Sequence, residues 1–373
     1  MDLSKSIDFL LENAGAVIQY RLRKEILNNL SEAEEAKLFL EQIYNLPYFK
    51  KVESYVRPDG YIGYGAHTHS NWQGVNFHET RLQDGETAAR LLSCYAIPKE
   101  HPIVKNFVSA MQDEETLRNA FSYAPPTAKC FENRFEGHNS GNSIMSIIYV
   151  MQALLGYGDD YNNLLDYQNI CIKGFERVLE INSLKDITTF NPQLKRKYNY
   201  PYMNHDEYFP DLYTLEMLAF TQGWRSEKNI KTVADAINRV NVIMKPNNDM
   251  SIRMMGIYKA PCFAFIRPFM PFGKPAVGYP NPNRIMTLMS MLGAGGSINV
   301  LHESVEIIHE TLKQDGIMRM NFASSAEKRK FIKGSEYPTS YSEILLEPPD
   351  KKYAFECDLT FWAVQLLHNH KHI

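Results

Sequence analysis

Apolar and polar segments follow one another along this chain in a unit that recurs. A loop rich in glycine, aromatic and polar residues leads into an apolar helical segment, and a more charged helical segment follows. The clearest copy begins at Asp59 and enters its apolar segment at residues 85–92; related units begin near Phe135, Tyr200 and Gly278. Helix pairs that each expose an apolar face must stack or close a ring to bury it, so the pattern predicts a repeat architecture.

The three- and four-residue spacing of apolar positions predicts where the helices lie. They are expected at about 84–96, 101–112, 140–156, 160–182, 210–222, 226–244, 281–293, 299–314 and 353–370. Strand signals are weak, because few runs alternate between apolar and polar residues. No Asn-Gly or Asp-Gly turn joins two such runs. We therefore predict an all-α protein with one domain, residues 1–373, in which N-terminal helices occupy 1–55 and helix-pair repeats occupy 56–373.

Two segments carry a resemblance to a known group. Residues 208–218, YFPDLYTLEML, and residues 57–61, RPDGY, resemble the aromatic entries to the repeat helices of squalene–hopene cyclases and protein prenyltransferase β-subunits. The resemblance extends from about residue 15 to the end of the chain. It implies an α/α toroid, in which inner helices surround a central cavity and loops line one mouth.

The motifs that carry chemistry in that group are missing. No Asp-x-Asp-Asp string for alkene protonation occurs, and Asp159-Asp160, the one Asp-Asp pair, is typical of a turn between helices. The nearest analogue of the prenyltransferase zinc ligands is Cys357-Asp358 with His368, but its order and spacing do not match. The resemblance therefore supports the fold and neither reaction.

Composition narrows the class of protein. The chain is 44% hydrophobic and 22% charged, as folded proteins are, and a net charge of −3 gives no general attraction for nucleic acid. Five cysteines are widely spaced without a CxxC motif, which favours a reducing compartment. The N-terminus lacks signal-peptide features, and no apolar run approaches about 18 residues, so we expect a cytoplasmic protein without a transmembrane segment.

The loop before the first inner helix of the repeats is rich in histidines and acids. It holds three histidines and three acids within twenty residues: His67, His69, His78, Glu79, Asp84 and Glu86. Such a set suits a zinc site, a general acid/base pair or simple hydrogen bonding within the loop. Asp84 and Glu86 also suit capping of the helix that follows. No HExxH motif accompanies the set, so the presence of a metal stays open.

Two later loops add further candidates. His138 lies among small residues just before an apolar helix, where a ligand can approach closely. His205 and Asp206 precede the next inner helix, and carboxylates beside a histidine raise its pKa. The predicted catalytic residues are His138, His78, Asp84, His205 and Asp206, each of which also has a structural alternative as a cap or loop anchor.

Aromatic residues in the same loops are the candidates for ligand binding. Aromatic side chains suit apolar or sugar ligands, although in a ring of helices many of them belong to the core. The predicted ligand-binding residues are Tyr61, Tyr64, Trp72, Tyr202 and Tyr208. There is no P-loop, dinucleotide fingerprint or GxSxG elbow, so no cofactor is identified.

These patterns lead to two hypotheses. The first is an enzyme that acts by acid/base chemistry on an apolar molecule or a glycan in the central cavity. The second is a non-catalytic scaffold that binds a small molecule or protein on the same concave surface. The reaction and the oligomeric state are left open by the sequence.

Overall fold

The chain folds as the helical protein that the apolar spacing predicts. The computed structural model describes residues 3–66, 81–121, 144–190, 202–203, 207–244, 252–255, 258–259, 269–274, 282–334, 346–347 and 351–371. Helices dominate these residues, so the all-α prediction is confirmed. Within the described ranges, no helix is both long and apolar enough to cross a membrane.

The N-terminal part begins with short helices. They are α1 (Ser4–Asn13), α2 (Ala16–Arg21), a π-helical turn at Leu22–Ile26 that continues α2, α3 (Glu32–Glu41) and α4 (Pro47–Glu53). Ser31 caps α3: its side chain accepts from the backbone N–H of Glu34, whose carboxylate accepts from that of Ser31. Such reciprocal capping satisfies N–H groups that the first helical turn leaves open.

Most of the later helices come in consecutive pairs. They comprise α5 (Gly85–Cys94) with α6 (Pro102–Gln112), then α7 (Glu114–Phe121), α8 (Ile144–Leu154) with α9 (Asn162–Glu180), α10 (Leu212–Ala219) with α11 (Glu227–Ile243), α12 (Pro282–Ser290) with α13 (Asn299–Asp315), α14 (Ser325–Gly334) and α15 (Ala354–Lys371). All nine predicted repeat helices are present, with bounds within four residues of those predicted. The sequence pattern missed α7 and α14, whose apolar residues are too few to show a helical period.

Burial separates inner from outer helices. All eight residues of α10 and all nine of α12 are buried, whereas α11 buries only one face. The inner helices contact one another in sequence, α5 with α8, α8 with α10, α10 with α12, and α12 with α15. Each helix pair thus contributes one helix hidden on every side and one amphipathic helix that covers it.

Arg21 connects the two ends of this series. Its guanidinium lies over the rings of Phe361 and Trp362 in α15, at 5.1 and 5.0 Å from their centroids. The same group donates to the backbone carbonyl of Cys94, at the C-terminal end of α5, over 3.2 Å. One side chain at the end of α2 therefore contacts both the first and the last inner helix of the repeats.

Turns between paired helices also contact the next repeat. The carboxylate of Asp159, in the turn between α8 and α9, accepts from the backbone N–H groups of Gln222 (2.9 Å) and Gly223 (2.7 Å). Those residues belong to the turn between α10 and α11. Asp159 therefore has the structural role in a turn that its sequence context indicates.

A small sheet was not predicted. Its strands are β1 (Thr188–Thr189), β2 (Tyr202–Met203), β3 (Ile252–Met255) and β4 (Tyr258–Lys259), paired in that order as antiparallel, parallel and antiparallel. β1 and β2 precede α10, and β3 and β4 precede α12. Strands of two to four residues are too short to produce a recognisable alternation, which is why the pattern missed them.

Candidate functional site

Two inner helices begin with the same capping arrangement. Asp84 precedes α5, and its carboxylate accepts from the backbone N–H groups of Glu86 (2.9 Å) and Thr87 (3.3 Å). Asp211 precedes α10 and forms a reciprocal capping box with Thr214. Both helices thus start at an Asp-x-x-Thr string. Asp84, predicted as a catalytic residue or a cap, is the cap of α5.

Just inside these caps lies a group of charged side chains from three inner helices. Arg90 of α5 donates through Nε to Glu86 (2.9 Å) and through its two terminal nitrogens to both carboxylate oxygens of Glu216 in α10. Arg284 of α12 donates to Glu216 over 2.6 Å. The Glu216 carboxylate therefore lies between two guanidinium groups. We call Glu86, Arg90, Tyr213, Glu216 and Arg284 the central charge network.

Tyr213 completes the network on the side of Glu86. Its hydroxyl is 3.1 and 3.3 Å from the two carboxylate oxygens of Glu86 and donates to that carboxylate. Its ring centroid is 5.8 Å from the guanidinium carbon of Arg90. Glu86 is thus held by one charged and one neutral donor, whereas Glu216 is held by two charged donors.

The network is buried and its charges balance. Its side chains belong to residues that are at most 7% exposed, and two arginines oppose two glutamates. Burial alone lowers the pKa of Arg90, but the charges of Glu216 and Glu86 outweigh it and raise that pKa above its ordinary value. Arg90 therefore remains protonated. Charges out of water are tolerated only when paired in this way.

The network lies near one end of the inner helices. Glu86 and Arg90 are in the first two turns of α5, Tyr213 and Glu216 are in the first two turns of α10, and Arg284 is in the first turn of α12. Because these positions contact each other, the N-terminal halves of the three helices converge.

The predicted ligand-binding tyrosines differ in their surroundings. Tyr61 is fully buried and packs edge-on against Phe107, with 5.1 Å between ring centroids. Tyr64 is 44% exposed, and Tyr208 is half-buried with the Lys173 ammonium 5.8 Å from its ring centroid. Of these, Tyr61 is the one in contact with the first turn of α5, where its hydroxyl lies against Gly85.

The other predicted site residues fall outside the described residues and stay predictions. They are His78, His138, His205, Asp206 and Trp72; Tyr202 lies in β2, but its side chain is likewise outside the described part. Within the described ranges, no cluster of three or more potential metal ligands is present. Burial, and then the charge of Glu347, raise the pKa of Cys357 to about 12, so this thiol is protonated at neutral pH.

Comparisons with known proteins give no relative. No family model, curated protein or solved structure matches this chain. The central charge network is therefore the structural feature that bears on function.

Sequence reasoning missed the network, although a signal for it was present. Arg90 lies in the string AARLL and Glu216 in the string LEML, each a single charge within an apolar helical stretch. A charge that a helix carries into the core requires a partner of opposite sign. The sequence does not show which partner, because Arg90 and Glu216 are separated by 126 residues.

Proposed function

We propose that this chain closes into an α/α toroid and acts as an enzyme on a glycan by acid/base chemistry. In this proposal the ligand lies over the N-terminal ends of α5, α10 and α12. The central charge network carries the proposal, because it concentrates ionised groups at the place where three inner helices converge.

Closure of the ring is supported by the contacts of the inner helices. Consecutive inner helices pack together from α5 to α15, and α15 packs against α2 and its π-helical continuation. Arg21 then reaches from α2 to the carbonyl of Cys94 in α5. A six-membered ring of α2, α5, α8, α10, α12 and α15 accounts for each of these contacts.

The chemistry of the network favours a glycan over a wholly apolar ligand. Carboxylates, guanidinium groups and a phenol exchange hydrogen bonds with sugar hydroxyls. An apolar ligand at this end of the helices would offer no hydrogen bond to the polar groups there. Tyr208, which is half-buried, adds aromatic surface of the kind on which sugar rings pack.

The residues for proton transfer are those that the sequence suggests. We assign this role to His138, with His78, Asp84, His205 and Asp206 as further candidates, and we add Glu86 because it is bonded by a single arginine and a neutral phenol. Tyr64, Trp72 and Tyr202 are the further candidates for ligand contact. Glu216, held between two arginines, is better suited to positioning Arg90 than to exchanging a proton.

A non-catalytic binding scaffold is the second candidate. It is favoured by the cap role of Asp84 and by the way in which the network satisfies its own charges. A self-satisfied network can shape a binding surface without transferring a proton. Turnover distinguishes the two candidates.

We also propose that this protein is located in the cytosol. The described cysteines Cys94, Cys171 and Cys357 are buried free thiols. Reduced thiols of this kind are typical of reducing compartments.

The test is a thermal-unfolding screen of the purified protein. Glucose, N-acetylglucosamine, maltose and cellobiose are compared with farnesol as the apolar ligand. A bound saccharide raises the unfolding midpoint, and the rise grows with the ratio of its concentration to its Kd. We expect Glu86→Gln to reduce that rise. Products are then sought by NMR with wild type and His138→Ala.

Each outcome has a distinct meaning. Saccharide binding with turnover that His138→Ala abolishes supports the enzyme, and saccharide binding without turnover supports the scaffold. A shift with farnesol alone shows that the glycan assignment is wrong. No shift with any of these ligands contradicts the proposed function.

A further inference from the structure

The hydroxyl of Tyr61 is buried without a hydrogen-bond partner among the residues that the structure describes. Three other tyrosines place this group differently: the hydroxyls of Tyr20, Tyr157 and Tyr213 donate to Glu35, to the Lys99 carbonyl and to Glu86, over 3.0, 3.0 and 3.1 Å. A buried hydroxyl that makes no bond reduces stability, because it has lost its bonds to water. Such a group therefore calls for an explanation.

The hydroxyl is held in place at the beginning of α5. The ring packs against Phe107, and the backbone N–H of Tyr61 donates to Asp59 over 3.0 Å. A Cβ on Gly85 would lie 2.7 Å from the Tyr61 hydroxyl oxygen, so the glycine leaves the space that this oxygen occupies. The orientation of the side chain is thus fixed from both ends.

The backbone of α5 is not the partner that this hydroxyl lacks. The N–H groups of Gly85 and Glu86 donate to the carbonyls of Gly65 and Ala66, each over 3.0 Å. Burial raises the pKa of Tyr61, and the charge of Asp84 raises it further against the opposing charge of Arg57. The phenol therefore stays protonated and is available as a donor.

We propose that Tyr61 is a ligand-binding residue whose hydroxyl donates a hydrogen bond to a hydroxyl oxygen of the bound sugar. The inference rests on the proposed function and specifies one contact of it. The sugar hydroxyl keeps its own proton, which it donates in turn to a carboxylate at the start of α5. A neutral polyol fits these donors and acceptors, whereas a hydrocarbon satisfies neither.

Two phenylalanine variants form the test, Tyr61→Phe and, as a matched control, Tyr213→Phe. In the ligand-free protein we expect Tyr61→Phe to unfold at the wild-type midpoint or above it, because it removes a polar group that makes no bond. Tyr213→Phe, which removes the donor to Glu86, is expected to unfold at a lower midpoint. The saccharide used is the one that raises the unfolding midpoint of the wild-type protein most in the thermal screen. We expect Tyr61→Phe to bind it about tenfold more weakly than the wild-type protein does.

Two results would overturn the inference and leave the proposed function standing. One is a Tyr61→Phe variant as destabilised as Tyr213→Phe, which would show that the Tyr61 hydroxyl is bonded in the free protein. The other is saccharide affinity unchanged by Tyr61→Phe. If no saccharide raises the unfolding midpoint of the wild-type protein, both the proposed function and this contact are wrong.

Discussion

Arg90 and Glu216 form a two-point ion pair across 126 residues of sequence, with the Glu216 side chain fully buried. α8 packs against both α5 and α10, and the pair joins those two helices directly. Arg284 adds a second guanidinium to the same carboxylate. Three inner helices are therefore tied together by one glutamate.

Removing the charge of Glu216 is expected to destabilise the fold strongly. Glu216→Gln keeps the shape of the side chain but leaves the two arginines of the network opposite one carboxylate, that of Glu86. Loss of one partner of a buried ion pair costs about 3–5 kcal/mol. Urea denaturation measures the loss. As a control, Asp235→Asn removes the exposed pair with Lys231 and is expected to change stability by less than about 1 kcal/mol. A similarly small change for Glu216→Gln would contradict a desolvated network.

Removing both Arg90 and Glu216 is expected to lower the free energy of unfolding by less than the sum of the two single changes. Arg90→Met and Glu216→Met each leave the charges of the network out of balance by one, whereas the double variant leaves Glu86 opposite Arg284 in formal charge. A double-mutant cycle by chemical denaturation should give a coupling of about 2 kcal/mol or more. Additive losses would show that Arg90 and Glu216 are not energetically linked.

Gly85→Ala is expected to destabilise through the Tyr61 hydroxyl. Alanine has the higher helix propensity, but its Cβ would lie 2.7 Å from that oxygen, and overpacking of this kind costs about 1–3 kcal/mol. The loss should shrink when Gly85→Ala is made in Tyr61→Phe, although the Gly65 carbonyl and Met151 also crowd the site at 3.2 Å. Gly296→Ala, which meets no atom within 4 Å, serves as the control.

His101 is expected to make stability depend on pH. Its Nδ1 accepts from the backbone N–H of Ile103, and burial lowers its pKa from the ordinary value of about 6.5. Above that value both states are neutral and the stabilisation is complete. As pH falls below it, the unfolded chain takes up a proton that the folded protein resists, so the free energy of unfolding decreases.

The matched variant is His101→Asn, which keeps a capping side chain but cannot titrate. Between about pH 7 and pH 5 its unfolding free energy should fall less steeply than that of wild type. His370, whose pKa burial also lowers, contributes the same trend in both proteins. Equal slopes for the two proteins would show that His101 does not titrate differently on folding.

Loss of Arg21 tests the proposed closure of the ring. Arg21→Met is expected to speed amide hydrogen exchange in both α15 and the C-terminal end of α5, because both lose the side chain that joins them. Arg23→Met, in the π-helical turn that continues α2, removes the pair with Glu34 and should leave those two regions unchanged. Faster exchange limited to α2 would argue against a closed ring.

Helix positions were predictable from the sequence because their signals are local. Apolar spacing located the nine repeat helices, and Ser31 and Ser226 occupy the cap positions that their neighbours indicate. In α14, which the pattern missed, the packing is distant in sequence: Phe331 contacts Phe355, at 5.9 Å between centroids. Because this contact comes from a residue distant in sequence, the apolar spacing within α14 does not reveal the helix.

The candidate site could be predicted only in part. The loops before the inner helices and the cap position of Asp84 follow from sequence, because a helix start is specified by its own few residues. That Arg90 meets Glu216, that Arg284 joins them, and that the Tyr61 hydroxyl lies against Gly85 were settled by the tertiary structure. Those relationships depend on how helices distant in the chain pack, and side-chain partners are fixed only when burial removes water as the alternative partner.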